Sequence, residues 1–65
     1  MKLTDFVEVI TGSEILHIHQ YGSSKILFTG YCKELKTSEN WGYLSELEVQ
    51  FIIARSFGEQ CIYVD

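Results

Sequence analysis

The sequence predicts an α+β fold: a short N-terminal helix packed on a four-stranded antiparallel sheet of two β-hairpins, with a short helical turn near residues 39–46. Three observations predict it. Leu3, Phe6, Val7 and Ile10 fall at i, i+3, i+4 and i+7, which is one face of an α-helix. Four later stretches place apolar residues with a period of two, the mark of strands. Turn-forming runs separate them, "YGSSK" in the first half and "RSFGEQ" in the second.

Each element has its own justification. For the helix, over residues 4–11, Thr4 is the candidate N-cap, Asp5 sits in the positive first turn, and Gly12 is the C-terminal stop. A helix this short melts in isolation and needs a sheet to lie on. In "ILHIHQY", Leu16 and Ile18 point one way with Gln20, while Ile15, His17, His19 and Tyr21 point the other. "KILFTGYCKEL" is the return strand, with Ile26 and Phe28 on one face and Leu27, Thr29 and Tyr31 on the opposite one. Gly30 marks a bulge or a close backbone approach. Trp41, Leu44 and Leu47 recur every three residues and give the helical turn, with Ser38 and Asn40 as capping types. In "LEVQFIIA", Leu47, Val49, Phe51 and Ile53 alternate with Glu48, Gln50 and Ile52. In "QCIYVD", Cys61 and Tyr63 oppose Ile62 and Val64, and Gly58 is the pivot of the turn between these two strands.

One helix of two turns covers only one side of such a sheet. The other side is expected to show Leu27, Ile52, Tyr21, Tyr31 and Tyr63 beside His17 and His19. Two outcomes are open. The surface is an interface, for a copy of the chain or another protein, or the strands curl into a partial barrel and bury it.

Composition narrows the class. At 65 residues the chain is expected to be one domain, residues 1–65, and a chain of this size buries only about 60% of its unfolded surface. Self-association, a metal or a disulfide is the usual support. With 46% hydrophobic and 14% aromatic residues and no proline, it is too apolar for a disordered segment. No apolar run reaches the roughly 20 residues that cross a bilayer, and "MKLTDFVEVITG" lacks the uninterrupted apolar core of a signal peptide. A cytoplasmic location is therefore expected. Cys32 and Cys61 fit it as free thiols, since they show no CxxC spacing. The net charge of −4, with only five scattered Lys and Arg, argues against direct nucleic-acid binding and favours a basic protein partner.

No motif assigns an enzyme. Ser23 and Ser24 lie in a turn, there is no G-x-S-x-G, and no base is placed beside Cys32. His17 and His19 are candidate metal ligands, since H-x-H on a strand presents both imidazoles on one face, with Cys32, Cys61, Glu14 and Glu48 as further donors. The competing reading is two half-exposed polar side chains, and no cofactor or metal is expected. Trp41, Tyr43 and Leu44 form a cluster that reads either as a plug over one end of the core or as a binding anchor. The candidate interface set is His17, His19, Tyr21, Tyr31, Trp41, Tyr43 and Tyr63, with Glu46 and Glu48 as acidic members. An imidazole buried against a partner sheds its charge, so association through this face is expected to weaken below about pH 6.

Over its whole length the chain resembles small proteins encoded by phages, prophages and mobile elements of low-GC Gram-positive bacteria. The likeness rests on length, acidic balance, the lack of proline, and a helix like "LTDFVEVI" followed by hairpins like "KILFTGYCKEL". The resemblance implies host-takeover or counter-defence proteins that work by binding. Anti-CRISPR proteins, some of which occupy the basic groove of a CRISPR nuclease, are the sharpest case. Glu34, Glu39, Glu46, Glu48 and Glu59 would then serve electrostatic steering. Two alternatives stand beside it: a homo-oligomeric nucleic-acid-binding or nicking protein, and a structural domain that self-associates.

Overall fold

A computed structural model describes residues 1–65. The chain forms α1 (Leu3–Val7), β1 (Ile15–Gln20), β2 (Ile26–Tyr31), α2 (Cys32–Leu35), α3 (Trp41–Leu44), β3 (Val49–Ser56) and β4 (Glu59–Val64). The four strands make one sheet in the order β2-β1-β4-β3.

The two hairpins are present, but the sheet is mixed rather than purely antiparallel. β1 pairs antiparallel with β2, β4 pairs antiparallel with β3, and the two central strands β1 and β4 run parallel. A parallel pair needs a connection long enough to carry the chain back across the sheet. Residues 32–48 supply it, and they fold into α2 and α3 on the way. The second hairpin therefore lodges its last strand, not its first, against β1.

Three short helices cover one face of the sheet. Leu3 and Val7 of α1, Cys32 and Leu35 of α2, and Leu44 of α3 meet Leu16 and Ile18 of β1 and Ile62 and Val64 of β4 in one core. Phe6, Ile10, Leu27, Phe28, Trp41, Leu47 and Val49 pack around it, half-buried. Each fully buried Leu, Ile or Val contributes about 1.5–3 kcal/mol relative to exposure. No single helix here would persist without that burial.

Local chemistry explains where the elements begin and end. α1 starts at Leu3, so Thr4 lies inside the helix and is not its cap. Its first N–H groups are satisfied by another segment: Leu3 donates to the carbonyl of Leu47 at 2.8 Å and Thr4 to that of Ser45 at 3.1 Å. Asp5 Oδ2 accepts the N–H of Lys2 at 3.2 Å, which places a carboxylate in the first turn. After Val7 the chain turns, so the helix is shorter than the periodicity alone predicts. α2 takes the residues that the sequence pattern assigns to the end of a strand. Glu34 Oε1 accepts the N–H of Tyr31 at 3.1 Å and opens a helix that turns Cys32 and Leu35 into the core.

Two bulges reset the alternation. In β2 the register slips between Phe28, opposite Ile18, and Ile26, opposite His19. Ile26 therefore shares the histidine face, and Leu27 packs with the core instead of lying on the open face. In β3 the register slips at Gln50, so Val49 pairs with Val64 while Phe51 pairs with Tyr63. Ile52 pairs with Ile62 on the helix side, and Phe51 and Ile53 point to the open face. Gly30 is the close approach that the sequence marks: its φ is +154°, and a Cβ there would lie 3.2 Å from both the Phe28 ring and a Glu34 oxygen.

Candidate protein-binding face

The register of the three strands β1, β4 and β3 builds the site. His19 pairs with Tyr63, and Tyr63 pairs with Phe51, so three rings lie side by side on the face away from the helices. Adjacent strands are about 4.8 Å apart, a spacing at which flat rings stack. The rings of His19 and Tyr63 stack at 5.0 Å and 19°, and those of Tyr63 and Phe51 at 4.5 Å and 20°. Tyr21, held just beyond β1 by its N–H donating to the Val64 carbonyl at 2.8 Å, closes the row edge-to-face on Phe51 at 5.7 Å and 89°.

This row is not core. No helix crosses it, Tyr21 and Phe51 keep 51% and 42% of their surface exposed, and Ile53 beside them keeps 49%. The strands do not curl over it. Of the two outcomes the sequence leaves open, the face is an uncovered apolar and aromatic surface, with Phe51 and Ile53 in place of Leu27 and Ile52.

A polar cluster borders the row. His17 Nε2 is hydrogen-bonded to Glu59 Oε2, and Ser56 Oγ donates to Glu59 Oε1 at 3.0 Å. The His17 bond, then the Ser56 bond, hold the Glu59 carboxyl below the usual carboxylate range, and Arg55 adds to this. Cys61 lies between His17 and Ile53 in the register, nearly buried by its neighbours on this face. Cys32 is buried in the core on the other side of the sheet, where loss of water pushes its thiol pKa up. Both are free thiols.

The sequence-predicted residues fall into three groups. His17, His19, Tyr21 and Tyr63 come together on the open face with Phe51. Tyr31 lies at the far end of β2, paired with Ile15, with the Lys33 ammonium 5.7 Å from its ring centre. Trp41 and Tyr43 stand on α3 in the helical layer: Trp41 is half-buried against the core, as a plug, and Tyr43 is exposed. Glu46 and Glu48 are joined to the chain start. Lys2 Nζ lies 2.8 Å from Glu46 Oε1, and the Met1 amino group 3.0 Å from Glu48 Oε2. The Glu46 bond raises the Lys2 pKa.

The two candidate metal ligands share a face, but each already has another partner, Glu59 for His17 and Tyr63 for His19. No three His, Cys, Asp or Glu side chains converge in metal-binding geometry. No ligand-sized cavity opens anywhere on the chain. No helix is long and apolar enough to cross a membrane. The central ring Phe51 is absent from what the sequence suggests, and Glu59 enters there only among the carboxylates assigned to steering, not beside the histidines. Glu59 is legible in hindsight as two residues before Cys61 and four before Tyr63 on one strand face, whereas Phe51 is hidden by the bulge at Gln50. Comparison of the chain with protein-family models, with curated proteins and with solved structures finds no match in any of the three.

Proposed function

We propose that this chain is an accessory protein of a phage or mobile element that acts by binding a protein inside the bacterial host cell, and that its open sheet face is the binding surface. The observation that supports this most strongly is the ring row His19–Tyr63–Phe51–Tyr21, uncovered by any helix, with Phe51 and Tyr21 exposed and His19 and Tyr63 half-buried between neighbouring rings. Rigid, amphipathic rings lose little entropy on docking and concentrate binding energy where a partner covers them. Hydrophobic and polar parts are arranged as in a docking surface, with an apolar row beside the charged Glu59.

The partner in this reading is basic. The chain carries a net charge of −4, and Glu59 stays ionised within the face itself. A positively charged nucleic-acid-processing enzyme of the host is the class that fits, which agrees with the counter-defence role implied by the resemblance to mobile-element proteins. The scarcity of Lys and Arg disfavours nucleic acid as the direct ligand.

The experiment compares the wild-type chain with a His19→Ala/Tyr63→Ala double variant. Each is used as bait against lysate of a low-GC Gram-positive host and is expressed in a CRISPR interference assay. The reading expects a captured protein that salt elutes, loss of capture by about 30-fold for one hot-spot ring at roughly 2 kcal/mol, and parallel loss of inhibition. Capture and interference that do not distinguish wild type from the double variant overturn it.

A further inference from the structure

The outer edge of β3 is only partly used. At its start, the Val49 N–H donates to the Met1 carbonyl at 2.8 Å, and Lys2 bridges Glu48. From residue 50 to residue 57, the backbone bonds only within the β3–β4 ladder. A free strand edge is a template for another strand, and native edges are blunted by Lys, Pro, inward charges or a covering element. "VQFIIARS" has no Lys and no Pro, and Arg55 is its one charged residue. Its seven residues from Gln50 to Ser56 are all exposed.

We infer that a second copy of this chain pairs antiparallel with β3, about a two-fold axis at Ile52, to make one continuous eight-stranded sheet. The free stretch is its own complement. In that register Ile52 meets Ile52 of the partner subunit on the helix side, and Phe51 meets Ile53 of the partner subunit on the histidine face, both favourable apolar cross-strand pairs. The bulges at Gln50 and Arg55 bracket the regular stretch 51–54, so the pairing is short and runs from Gln50 to Ala54 about Ile52.

The charges permit it. Of the carboxylates near β3, Glu48 is matched by the Met1 amino group, Glu59 is hydrogen-bonded to His17 and Ser56 on the open face, and Asp65 lies opposite Glu48 on the β4 side, away from the free edge. Two chains of net charge −4 therefore meet along an edge that presents no unpaired carboxylate. The ends agree as well. Phe57, fully exposed in the β3–β4 turn, lies beyond one end of the free stretch, and the exposed Met1 closes the other. In this register Arg55 of each copy comes opposite Val49 of the partner subunit, where Met1 of the partner subunit closes the edge.

This inference uses the strand edge and does not rest on the partner-binding reading. Pairing at the edge leaves His19 and Tyr63 open and joins two such faces into one platform.

Sedimentation over a concentration series tests it, with Ile52→Lys as the first variant. Wild type is expected to reach twice the 7.5 kDa chain mass, and Ile52→Lys to stay at 7.5 kDa with an unchanged circular dichroism spectrum. In a second variant, Ile52→Cys combined with Cys32→Ala and Cys61→Ser, the two-fold places both new thiols opposite each other. It should form an intersubunit disulfide, whereas Val9→Cys in the same background should not. A wild-type monomer at every concentration, a dimer that Ile52→Lys leaves intact, or no preferential crosslink at position 52 overturns it. None of these outcomes alters the lysate experiment with His19→Ala/Tyr63→Ala, so the two readings fail separately.

Discussion

Ile18 and His19 are neighbours in β1 that face opposite sides of the sheet, and replacing each by Ala weighs the two sides against one another. Ile18 is fully buried among the core residues. Removing three carbons costs about 2.4 kcal/mol of transfer free energy at ~0.8 kcal/mol per CH2. The cavity left behind raises this to roughly 3 kcal/mol, inside the range of about 2–5 kcal/mol for such truncations. A chain of this length has only about 3–10 kcal/mol in total, so Ile18→Ala removes a third of the stability or more. His19 loses a stack on Tyr63 worth about 0.5–1.5 kcal/mol, with no cavity in a core. Urea unfolding followed by circular dichroism reads both. With a slope near 1 kcal/mol/M, the midpoint is expected to fall by about 3 M for Ile18→Ala and about 1 M for His19→Ala. Equal shifts, or a larger one for His19→Ala, would mean that the histidine face is buried in the free protein, and the division into a core face and an open face would be wrong.

Three further outcomes follow from single interactions. The Glu59 carboxyl is held below its ordinary value by His17 and Ser56. Its contribution to stability is therefore fully present above the unfolded value of about 4.3 and is lost as pH falls through the lower folded value. Melting curves between pH 6 and the acid limit should show a shallower acid loss for Glu59→Gln than for wild type, and parallel curves would remove this pair from the acid response. Gly30→Ala forces a Cβ against Phe28 and Glu34 at a positive φ and should lower stability by more than about 1 kcal/mol. Gly42→Ala, in α3 with open space around it, should raise stability by about 0.5–1 kcal/mol, and thermal melts that reverse the order contradict the backbone assignment. Cys32 and Cys61 should resist a thiol reagent at neutral pH and react as two thiols in denaturant, since both are buried. Rapid native labelling would contradict their placement.

Local periodicity carries much of the fold. The alternation of "ILHIHQ" puts Leu16 and Ile18 in the core and both histidines outside, and the spacing of Leu3 and Val7 identifies the face that α1 buries. These signals are legible because each depends on neighbours within a few residues. The parallel contact of β1 with β4 is not legible. It depends on how the second hairpin docks after a crossover, and no residue in "QCIYVD" marks a parallel neighbour. The bulges at Gln50 and Leu27 are equally silent, and a one-residue slip moves every following side chain to the other face. That is why Phe51 reads from sequence as a companion of Val49 and turns out to be the middle of the ring row. The position of Trp41 and Tyr43 in the helical layer, apart from the histidines, is silent for a related reason: aromatic type says that a residue suits an interface, but not which layer of the fold carries it.

Hydroxyl-radical footprinting tests the central claim most directly, because it reports side by side which rings meet water. In the free chain Tyr21 and Phe51 are expected to oxidise readily and the half-buried His19 and Tyr63 to a lesser extent, while Leu16 and Leu35, fully buried in the core, are spared. In the salt-sensitive complex recovered from host lysate, Tyr63 and His19 should become protected and Tyr43 on α3 should not. Rings on the histidine face that are spared in the free chain, or that oxidise equally in the complex, would contradict an open face built for a protein partner.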